Sequence, residues 1–464
     1  MEDNLTGIHK PWTPESTDDL YLRRKGMNRK ARISTAATIL TCALALTVIG
    51  IPSSSLAAGK FEGVKITANF MASGTYDKAA EQVKTTFEAA TGATVEIVAK
   101  PFDQLVQANL TDLATGTGQY DVISVTSWEA DVYDKLLPLD TFIKRDGYGK
   151  EAGFIPGLLR PNQGTEYFDG KPVGVPYAID GYAMLVRKDL LAKAGVSSDW
   201  KTWPEFFKAM NKLKKKLPKK VSPFVFAYGA TEQVPAIWLS AYDGYLLKKN
   251  GTYGLKTPKM LRALSVVKKS LRYAPSNAKA LSIDEANQVF LNGNAAVVMG
   301  WPSFVRAAAD DPAKSKVVGK WALSSIPGPG MVWLSAWNLG IAKTSKNPEA
   351  AWEFIKTYIN EKNGTKWMAE FGIGSPFLNT FNGEDAKVKH GHDYPQHAVN
   401  LEAVKNAPWS FSAFLDVYSR GTGDFLTGKQ SGIETIQSWN KQLGTKKPAP
   451  GMVEAAKSSG LMEE

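Results

Sequence analysis

The strongest constraint on the fold is a regular succession of strand and helix patterns that begins at Phe61. Apolar residues alternate in the predicted strands and recur at helical spacing in the predicted helices, the first of which ends before Gly92. The elements are strands 64–70, 94–99 and 121–125 and helices 76–91, 102–114 and 129–136. Short strands that alternate with helices of this length predict a parallel, doubly wound sheet of the α/β class.

The alternation continues after a loop-rich region at residues 137–176. Further strands are predicted at 182–186, 295–299 and 339–342, and further helices at 188–194, 203–217, 258–274, 283–291, 305–310 and 347–360. The tail from residue 400 has a mostly helical pattern. The chain has 464 residues, of which 44% are hydrophobic. This is enough for two domains, each with its own core.

The first 57 residues have the features of a leader and signal peptide. A basic stretch around Arg29 precedes an apolar run at 36–51, and small residues follow up to Ala57. The run is too short and too rich in Thr for a membrane span. We therefore expect export to the periplasm with cleavage after Ala57. The alternatives are a start at Met27, which would leave residues 1–26 outside the protein, a genuinely long leader, or a short N-terminal anchor that stays uncleaved.

The only cysteine, Cys42, lies midway along this apolar run. A lipoprotein cysteine stands at the end of such a run, so we expect no lipid anchor. Cleavage would leave no cysteine, which excludes disulfides and thiolate zinc sites. The net charge is +11, and the densest basic run is 212–220. We interpret this run as the solvated end of a helix, and without interleaved aromatic residues it does not indicate nucleic-acid binding.

Two tryptophans follow predicted strands directly. Trp301 comes after Gly300 at the end of one strand, and Trp128 stands just past the strand that ends at Val125. Ligands of open α/β sheets bind beyond the carboxyl ends of the strands. Each tryptophan is therefore either a platform for a ligand or part of the core.

The sequence contains no GxSxG, P-loop or HExxH motif, and we predict that the protein is not an enzyme. Three histidines, His390, His392 and His397, cluster in HGHDYPQH. Because this stretch lacks helical or strand periodicity, we interpret it as a surface loop and predict no metal site there. We also expect no cofactor.

Several segments, taken in order, resemble one known family. They are TFEAATGATVEIVA, YDVISVTSW, LLPLDTFI, DGKPVGVPYAIDGYAMLVRKDLLAKAGV, TWPEFFKAMNKLKK, FLNGNAAVVMGWPSF, IPGPG and NLGIAKTSKNPEAAWEFIKTYI. This order is similar to that of the family 1 extracellular solute-binding proteins, which are maltose-binding-protein-like sugar-binding components of ABC importers. The resemblance covers residues 63–376 and, more loosely, the remainder of the chain.

The resemblance implies a two-lobed periplasmic binding protein fold, in which two discontinuous, doubly wound α/β lobes are joined by three hinge crossings. The implied ranges are an N-terminal lobe of 60–178 with 336–394, a C-terminal lobe of 181–330 with 407–464, and hinges near 178–181, 331–335 and 395–406.

The resemblance also implies the residues that face a ligand. Trp301 stands where the strand-end aromatic of the family stacks on a sugar ring, and Asp180 matches a position that often carries a ligand-facing acid. We expect Trp301 to be partly exposed and to lie across the cleft from Trp128. The ligand-binding candidates are Trp301, Trp128, Asp180, Trp337, Trp238, Glu232, Trp409, Asn338 and Ser127. The alternative role for the aromatic residues is packing, and for Asp180 it is a structural turn.

The implied function is to capture a sugar, oligosaccharide or polyol between the lobes and deliver it to a membrane ABC permease. We expect a monomer that binds no nucleic acid. One alternative is a secreted carbohydrate-active enzyme, which would need a pair of carboxylates such as Asp180 and Glu232. The other is a sugar sensor for a chemoreceptor.

Overall fold

The computed structural model describes residues 59–72, 75–149, 153–382, 393–408, 412–449 and 451–464. The predicted leader and signal peptide and the candidate Trp409 therefore lie outside the described residues. Within them, no helix has the length and apolar composition needed to cross a membrane.

The strands are β1 (Lys65–Met71), β2 (Thr94–Lys100), β3 (Val122–Val125), β4 (Tyr167–Phe168), β5 (Lys171–Pro172), β6 (Val175–Gly181), β7 (Ala183–Arg187), β8 (Val297–Gly300), β9 (Trp321–Ser324), β10 (Val332–Ile341) and β11 (Val404–Lys405). The helices of the first half are α1 (Tyr76–Thr91), α2 (Phe102–Thr115), α3 (Asp140–Arg145), α4 (Lys188–Ala194), α5 (Trp203–Lys216) and α6 (Pro235–Ala241). Those of the second half are α7 (Thr257–Ser270), α8 (Ile283–Leu291), α9 (Pro302–Ala309), α10 (Pro348–Tyr358), α11 (Glu361–Phe371), α12 (Leu378–Asn382), α13 (Tyr394–Ala403), α14 (Arg420–Thr427), α15 (Gly432–Leu443) and α16 (Met452–Ser458).

The first sheet has the strand order β11-β10-β3-β1-β2, and β6 also pairs with β10. Strand β1 is parallel to both β2 and β3, as the βα succession predicts. Strand β10 returns antiparallel to β3 and to β6. The apolar sides of α1 and α10 cover this sheet, where Phe70 and Phe354 contact each other edge to face at 6.4 Å.

The second sheet has the order β8-β7-β9, and β7 pairs antiparallel with both neighbours. The amphipathic helix α5 packs beside it because Trp203, Phe206 and Met210 are spaced to share one buried face. Thr202 caps α5 reciprocally with Glu205, which fixes where the helix begins.

Strand β10 pairs with both β6 and β11. In the β6–β10 pair, Asp180 is opposite Ser335 and Gly181 is opposite Leu334. On the other edge of β10, Val332 pairs with Val404 of β11. The predicted strand 339–342 is therefore too short. Pairing along both edges extends the strand back to Val332. The local pattern of hydrophobic residues does not reveal this pairing.

Two other predictions differ from the structure. The loop-rich region contains α3 and the hairpin β4–β5, whose turn Asp169–Gly170 has positive φ at both residues. An Asp-Gly pair is a strong signal for such a two-residue turn. The predicted helix 129–136 is a 3₁₀ helix over Ser127–Lys135.

The C-terminal segment contributes residues to two separate apolar clusters. Ala449 and Met452 pack in an apolar cluster with Leu113 and Tyr133, close to the first sheet. Farther along α16, Ala456 belongs to the core of the second sheet. The segment thus packs against the cores of both sheets.

Strand β11 approaches β6 closely at Gly181. A Cβ atom on Gly181 would lie 2.4 Å from Cγ1 of Val404, which is too close for van der Waals contact. We expect Gly181→Ala to lower the free energy of unfolding by about 1–3 kcal/mol, as overpacking does. Urea unfolding would measure this. Val404→Ala opens the space, so the Gly181→Ala change should cost less in that background, and an equal cost in both backgrounds would contradict the steric explanation.

Candidate functional site

A cleft of about 470 Å³ lies between the two sheets. The side of the first sheet contributes Tyr76, Phe102 and Trp128, and the side of the second contributes Gln233 and Trp301. Strands β6 and β10 contribute further lining residues, which include Asp180, Trp333 and Trp337.

Three tryptophans form a continuous aromatic wall in this cleft, which we call the tryptophan wall (Trp128, Trp333 and Trp301). The ring of Trp333 is stacked on that of Trp128 at 6.4 Å and meets that of Trp301 at 5.7 Å with a steep tilt. Tyr182 supports it from behind, with its ring 4.1 Å from that of Trp301. The wall thus contains aromatic rings from both sides of the cleft and from strand β10.

The position of Trp128 is set by the turn that follows β3. Glu129 accepts hydrogen bonds from the backbone N–H of Thr126 at 3.0 Å and from its hydroxyl at 3.2 Å. The Thr126 hydroxyl in turn accepts from the backbone N–H of Trp128 at 3.2 Å. This capping box starts the 3₁₀ helix at Ser127 and holds the indole at the carboxyl end of the strand.

Asp180 is the buried acid of the cleft. Its Oδ2 accepts the backbone N–H of Ser303 at 2.8 Å, and its Oδ1 accepts that of Gly181 at 3.0 Å. Burial raises the pKa of Asp180 to about 6, although nearby Arg306 and these hydrogen bonds act in the opposite direction. The carboxyl group therefore joins β6 to the start of α9 and faces the cleft.

Gln233 ties the tryptophan wall to polar groups. Its Oε1 accepts the indole N–H of Trp301 at 2.9 Å and the hydroxyl proton of Tyr182. On the opposite side, the hydroxyl of Ser127 donates to Oδ1 of Asn406 at 3.2 Å. The cleft thus places amide, hydroxyl and carboxyl groups next to aromatic faces, an arrangement suited to a ligand that has both apolar faces and hydroxyl groups.

Five of the predicted site residues line this cleft: Ser127, Trp128, Asp180, Trp301 and Trp337. The expected partial exposure of Trp301 is wrong, since only 7% of the residue is exposed and only 6% of Trp128. Trp333 contributes to this burial, because its ring is stacked on that of Trp128 and meets that of Trp301 at a steep angle.

Three other candidates do not line the cleft. Trp238 is fully buried in the core of the second sheet, where its indole donates to the hydroxyl of Thr422 at 3.3 Å. Asn338 is also buried, and its amide donates to the backbone oxygen of Gly164 at 2.8 Å. Glu232 is not among the described lining residues, although it lies next to Gln233, which is. Trp409 lies beyond the described residues.

The sequence analysis missed Trp333 because it predicted β10 to begin seven residues too late. Trp333 and Trp337 are four residues apart, and alternate residues of a strand share a face. Recognition of 332–341 as one strand would have placed both on the same side as the ligand candidates.

The histidine cluster also needs correction. His397 lies on α13 and is fully buried, not in a surface loop, and its Nε2 is 3.8 Å from Oδ1 of Asp180. Burial, with the nearby charge of Arg306, lowers the pKa of His397 well below its ordinary value, so the imidazole is neutral. His390 and His392 lie outside the described residues.

Two buried carboxyl groups lie behind the tryptophan wall. Burial raises the pKa of Glu129 to about 7, although its hydrogen bonds with Asn109 and Thr126 oppose the shift. Burial likewise raises the pKa of Glu166 to about 8, and the charge of Glu129 adds to this. Both groups are therefore more readily protonated in the folded protein than in the unfolded chain.

Stability should fall as the pH rises through this range. Between about pH 4.5 and 8 the folded state binds more protons than the unfolded state, so the free energy of unfolding decreases with pH. The side chain of Glu166→Gln stays neutral at every pH. We therefore expect the difference in free energy of unfolding between this variant and the unchanged protein to shift in favour of the variant by at least about 1 kcal/mol between pH 5 and pH 8. Thermal unfolding over this range would measure it, with the exposed Glu370→Gln as control. Parallel pH profiles for all three proteins would contradict the prediction.

Solved structures with the same architecture include maltose-bound T. maritima MalE3, which has a TM-score of 0.71 at 21% identity, covering 82% of this chain and 98% of that one. A ribitol complex of an ABC transporter solute-binding protein from Agrobacterium radiobacter K84 has a TM-score of 0.69 at 22% identity, covering 86% and 99%. These similarities confirm the two-lobed periplasmic binding protein fold.

Sequence relatives are of the same kind. A protein of Brucella abortus (strain 2308) that is named as a binding protein is 28% identical over 338 residues, which are 70% of this chain and 76% of the relative. The maltodextrin-binding protein MdxE of Bacillus subtilis (strain 168) is 26% identical over 324 residues, 62% of this chain and 68% of the relative. The sequence pattern of the family described as bacterial extracellular solute-binding protein matches residues 68–365, and the chain belongs to that family.

Proposed function

We propose that this exported protein captures a sugar, oligosaccharide or polyol in the cleft and delivers it to a membrane ABC permease. The observation that carries the proposal is the tryptophan wall with Asp180 and Gln233 beside it. Carbohydrates offer C–H faces that stack on aromatic rings. Their hydroxyl groups also need partners once they are removed from water, and the carboxyl and amide groups supply these.

The charge of the lining favours a neutral ligand. Among the lining residues that the structure describes, only Asp180, Asp284 and Lys314 are ionisable apart from tyrosine, and none is an arginine that would form a fork for a carboxylate or phosphate. A volume of about 470 Å³ is within the range of small-molecule sites. The maltodextrin, maltose and ribitol named for the relatives belong to this chemical class.

We further propose that β6, β10 and β11 are the hinge. The three crossings would then fall near 178–181, 331–335 and 395–406, and the lobes would be 60–178 with 336–394 and 181–330 with 407–464. The C-terminal segment would contact both. A ligand that reaches both walls of the cleft only in the closed form shifts the population towards that form. We expect the closed protein to act as a monomer.

A thermal-shift screen tests the ligand class. Monosaccharides, disaccharides, polyols, sugar acids and amino acids would be compared at equal concentration, because a bound ligand raises the melting temperature by mass action. We expect a neutral carbohydrate or polyol to give the largest rise, and Trp301→Ala to reduce that rise. A rise given only by amino acids or by sugar acids would refute the proposed ligand class.

Delivery to a permease requires a separate experiment. The loaded protein should stimulate ATP hydrolysis by an ABC permease of the same organism, reconstituted in vesicles, and the ligand should cross the vesicle membrane only when both components are present. Catalytic release of new sugar products by the purified protein would instead favour the secreted enzyme. Ligand binding by the protein, without stimulation of ATP hydrolysis by any permease tested, would favour a role as a sugar sensor for a chemoreceptor.

A further inference from the structure

The positive charge of the chain is concentrated in one segment. Residues 206–282 contain sixteen Lys and Arg but only two acids, Glu232 and Asp243. The net charge of the whole chain is +11, so acids outnumber bases in the rest of it. A basic segment inside an otherwise slightly acidic protein is not a general adaptation for solubility, because that purpose is served by mixed charges spread over the surface.

The fold brings the cations of this segment together at the C-terminal ends of α5 and α7. The ammonium group of Lys214 donates to the backbone oxygen of Arg272 at 3.1 Å. The ring of Phe207 is stacked on that of Tyr273 at 5.8 Å, and Nζ of Lys269 lies 4.4 Å from the centre of the Phe207 ring. The two helix ends therefore lie side by side.

We call the exposed cations there the basic face. Its members are Lys212, Lys214, Lys215, Lys216, Lys219, Lys220, Lys269 and Arg272. Within the part of the chain that the structure describes, none of these eight takes part in an ion pair. Of the two acids in the segment, Asp243 pairs with Lys259 at 2.9 Å and Glu232 lies next to Gln233.

Helix stability does not account for this concentration of charge. Cations near a helix C-terminus are favourable by a few tenths of a kcal/mol, but only within the last turn. Lys219 and Lys220 follow the end of α5, where like charges repel without that compensation. The dipole of α5 therefore does not explain why Lys219 and Lys220 lie beside the other cations of the basic face.

We propose that the basic face binds an anionic phospholipid surface and so holds the exported protein beside the membrane. Seven of its eight cations are lysines, which act as mobile point charges and suit a diffuse layer of headgroups, whereas arginine forks suit fixed carboxylates. Clusters of four to eight basic residues are of the size that binds anionic lipid. None of the described lining residues of the cleft belongs to α5 or α7, so the basic face is separate from the candidate ligand site.

Vesicle co-sedimentation of the mature protein tests the proposal. We expect binding to vesicles of phosphatidylcholine with phosphatidylglycerol at low salt, no binding to phosphatidylcholine alone, and release at about 1 M salt, where the screening length is about 3 Å. The triple variant Lys212→Gln, Lys215→Gln and Lys216→Gln should bind at least tenfold more weakly, since each lysine near the surface contributes about fivefold.

The matched control removes the same amount of charge from a different part of the surface. Lys78→Gln, Lys346→Gln and Lys362→Gln changes three exposed lysines outside the basic face, and we expect vesicle binding close to that of the unchanged protein. Equal weakening in both triple variants would show a net-charge effect and overturn the proposal. Tighter, competing binding to polyglutamate would overturn it in favour of an acidic protein partner.

Membrane binding by the basic face and ligand binding in the cleft can be tested independently of each other. Both triple variants should keep the thermal shift produced by the cleft ligand, because none of the changed lysines lines the cleft. Trp301→Ala should keep vesicle binding. Loss of the ligand response in the basic-face variant would show that its effect is structural and would overturn the assignment of a separate membrane surface.

Discussion

Replacement of Trp333 by alanine should weaken ligand binding by at least about 30-fold, which corresponds to about 2 kcal/mol. Trp333 is the middle member of the tryptophan wall and contacts both other rings. Its loss removes one stacking surface and also the packing that fixes the orientation of Trp128 and Trp301. Isothermal titration with the ligand found in the thermal-shift screen would measure the change.

Two further variants separate binding from folding. Trp333→Phe keeps an aromatic ring in the wall, and we expect it to lose less affinity than the alanine variant while it folds normally. Trp238→Phe changes a tryptophan that is buried away from the cleft, so affinity should remain unchanged. If Trp333→Phe and Trp333→Ala both bind as tightly as the unchanged protein, the tryptophan wall is not the ligand platform.

The local elements of the fold could be predicted from the sequence because they are amphipathic and well capped. The predicted helix 76–91 coincides with α1, and Gly92 ends it in the left-handed conformation. The start of α5 follows from Thr202 and Pro204, a capping residue and a first-turn proline. These signals depend on residues within one turn of each other, so tertiary contacts do not override them.

The full length of β10 could not be predicted with the same success because pairing with distant strands defines it. Residues 332–338 form strand only because β6, β11 and β3 pair with β10 along its length. No pattern of neighbouring residues indicates that residues 180 and 335 lie opposite each other in the β6–β10 pair. The C-terminal contact of Met452 with the first-sheet cluster is non-local in the same way.

The same distinction explains the site. Trp128 and Trp301 stand at strand ends, which is a local signal, and both line the cleft. Trp238 was also a candidate for ligand binding because it follows the loop that contains Glu232. Its position on α6 instead places its ring in the core, where it packs against Tyr418 and Trp439. Sequence reasoning identifies the residue types a carbohydrate site needs, whereas only the packing shows which tryptophans are used for stability.

Removal of the carboxylate of Asp393 should produce the largest loss of stability. Asp393 pairs with Arg306 of α9 through Nε at 3.1 and 2.9 Å and through a terminal nitrogen at 2.8 Å, and neither side chain is exposed. The other terminal nitrogen of Arg306 donates to the backbone oxygen of Gly372 at 2.9 Å. Asp393→Ala would leave a buried guanidinium without this counter-charge, and we expect the free energy of unfolding to fall by about 3–5 kcal/mol.

Denaturant unfolding would measure the loss of stability. Two comparisons test whether the loss comes from the unpaired buried charge. Arg306→Met with Asp393→Leu removes both charges and should be more stable than Asp393→Ala alone, because the unpaired charge is then absent. Asp199→Ala breaks an exposed pair with Lys201 of 2.5 Å and should change stability little. A double variant that is less stable than Asp393→Ala would contradict the charge explanation and assign the loss to packing between α9 and the segment before α13.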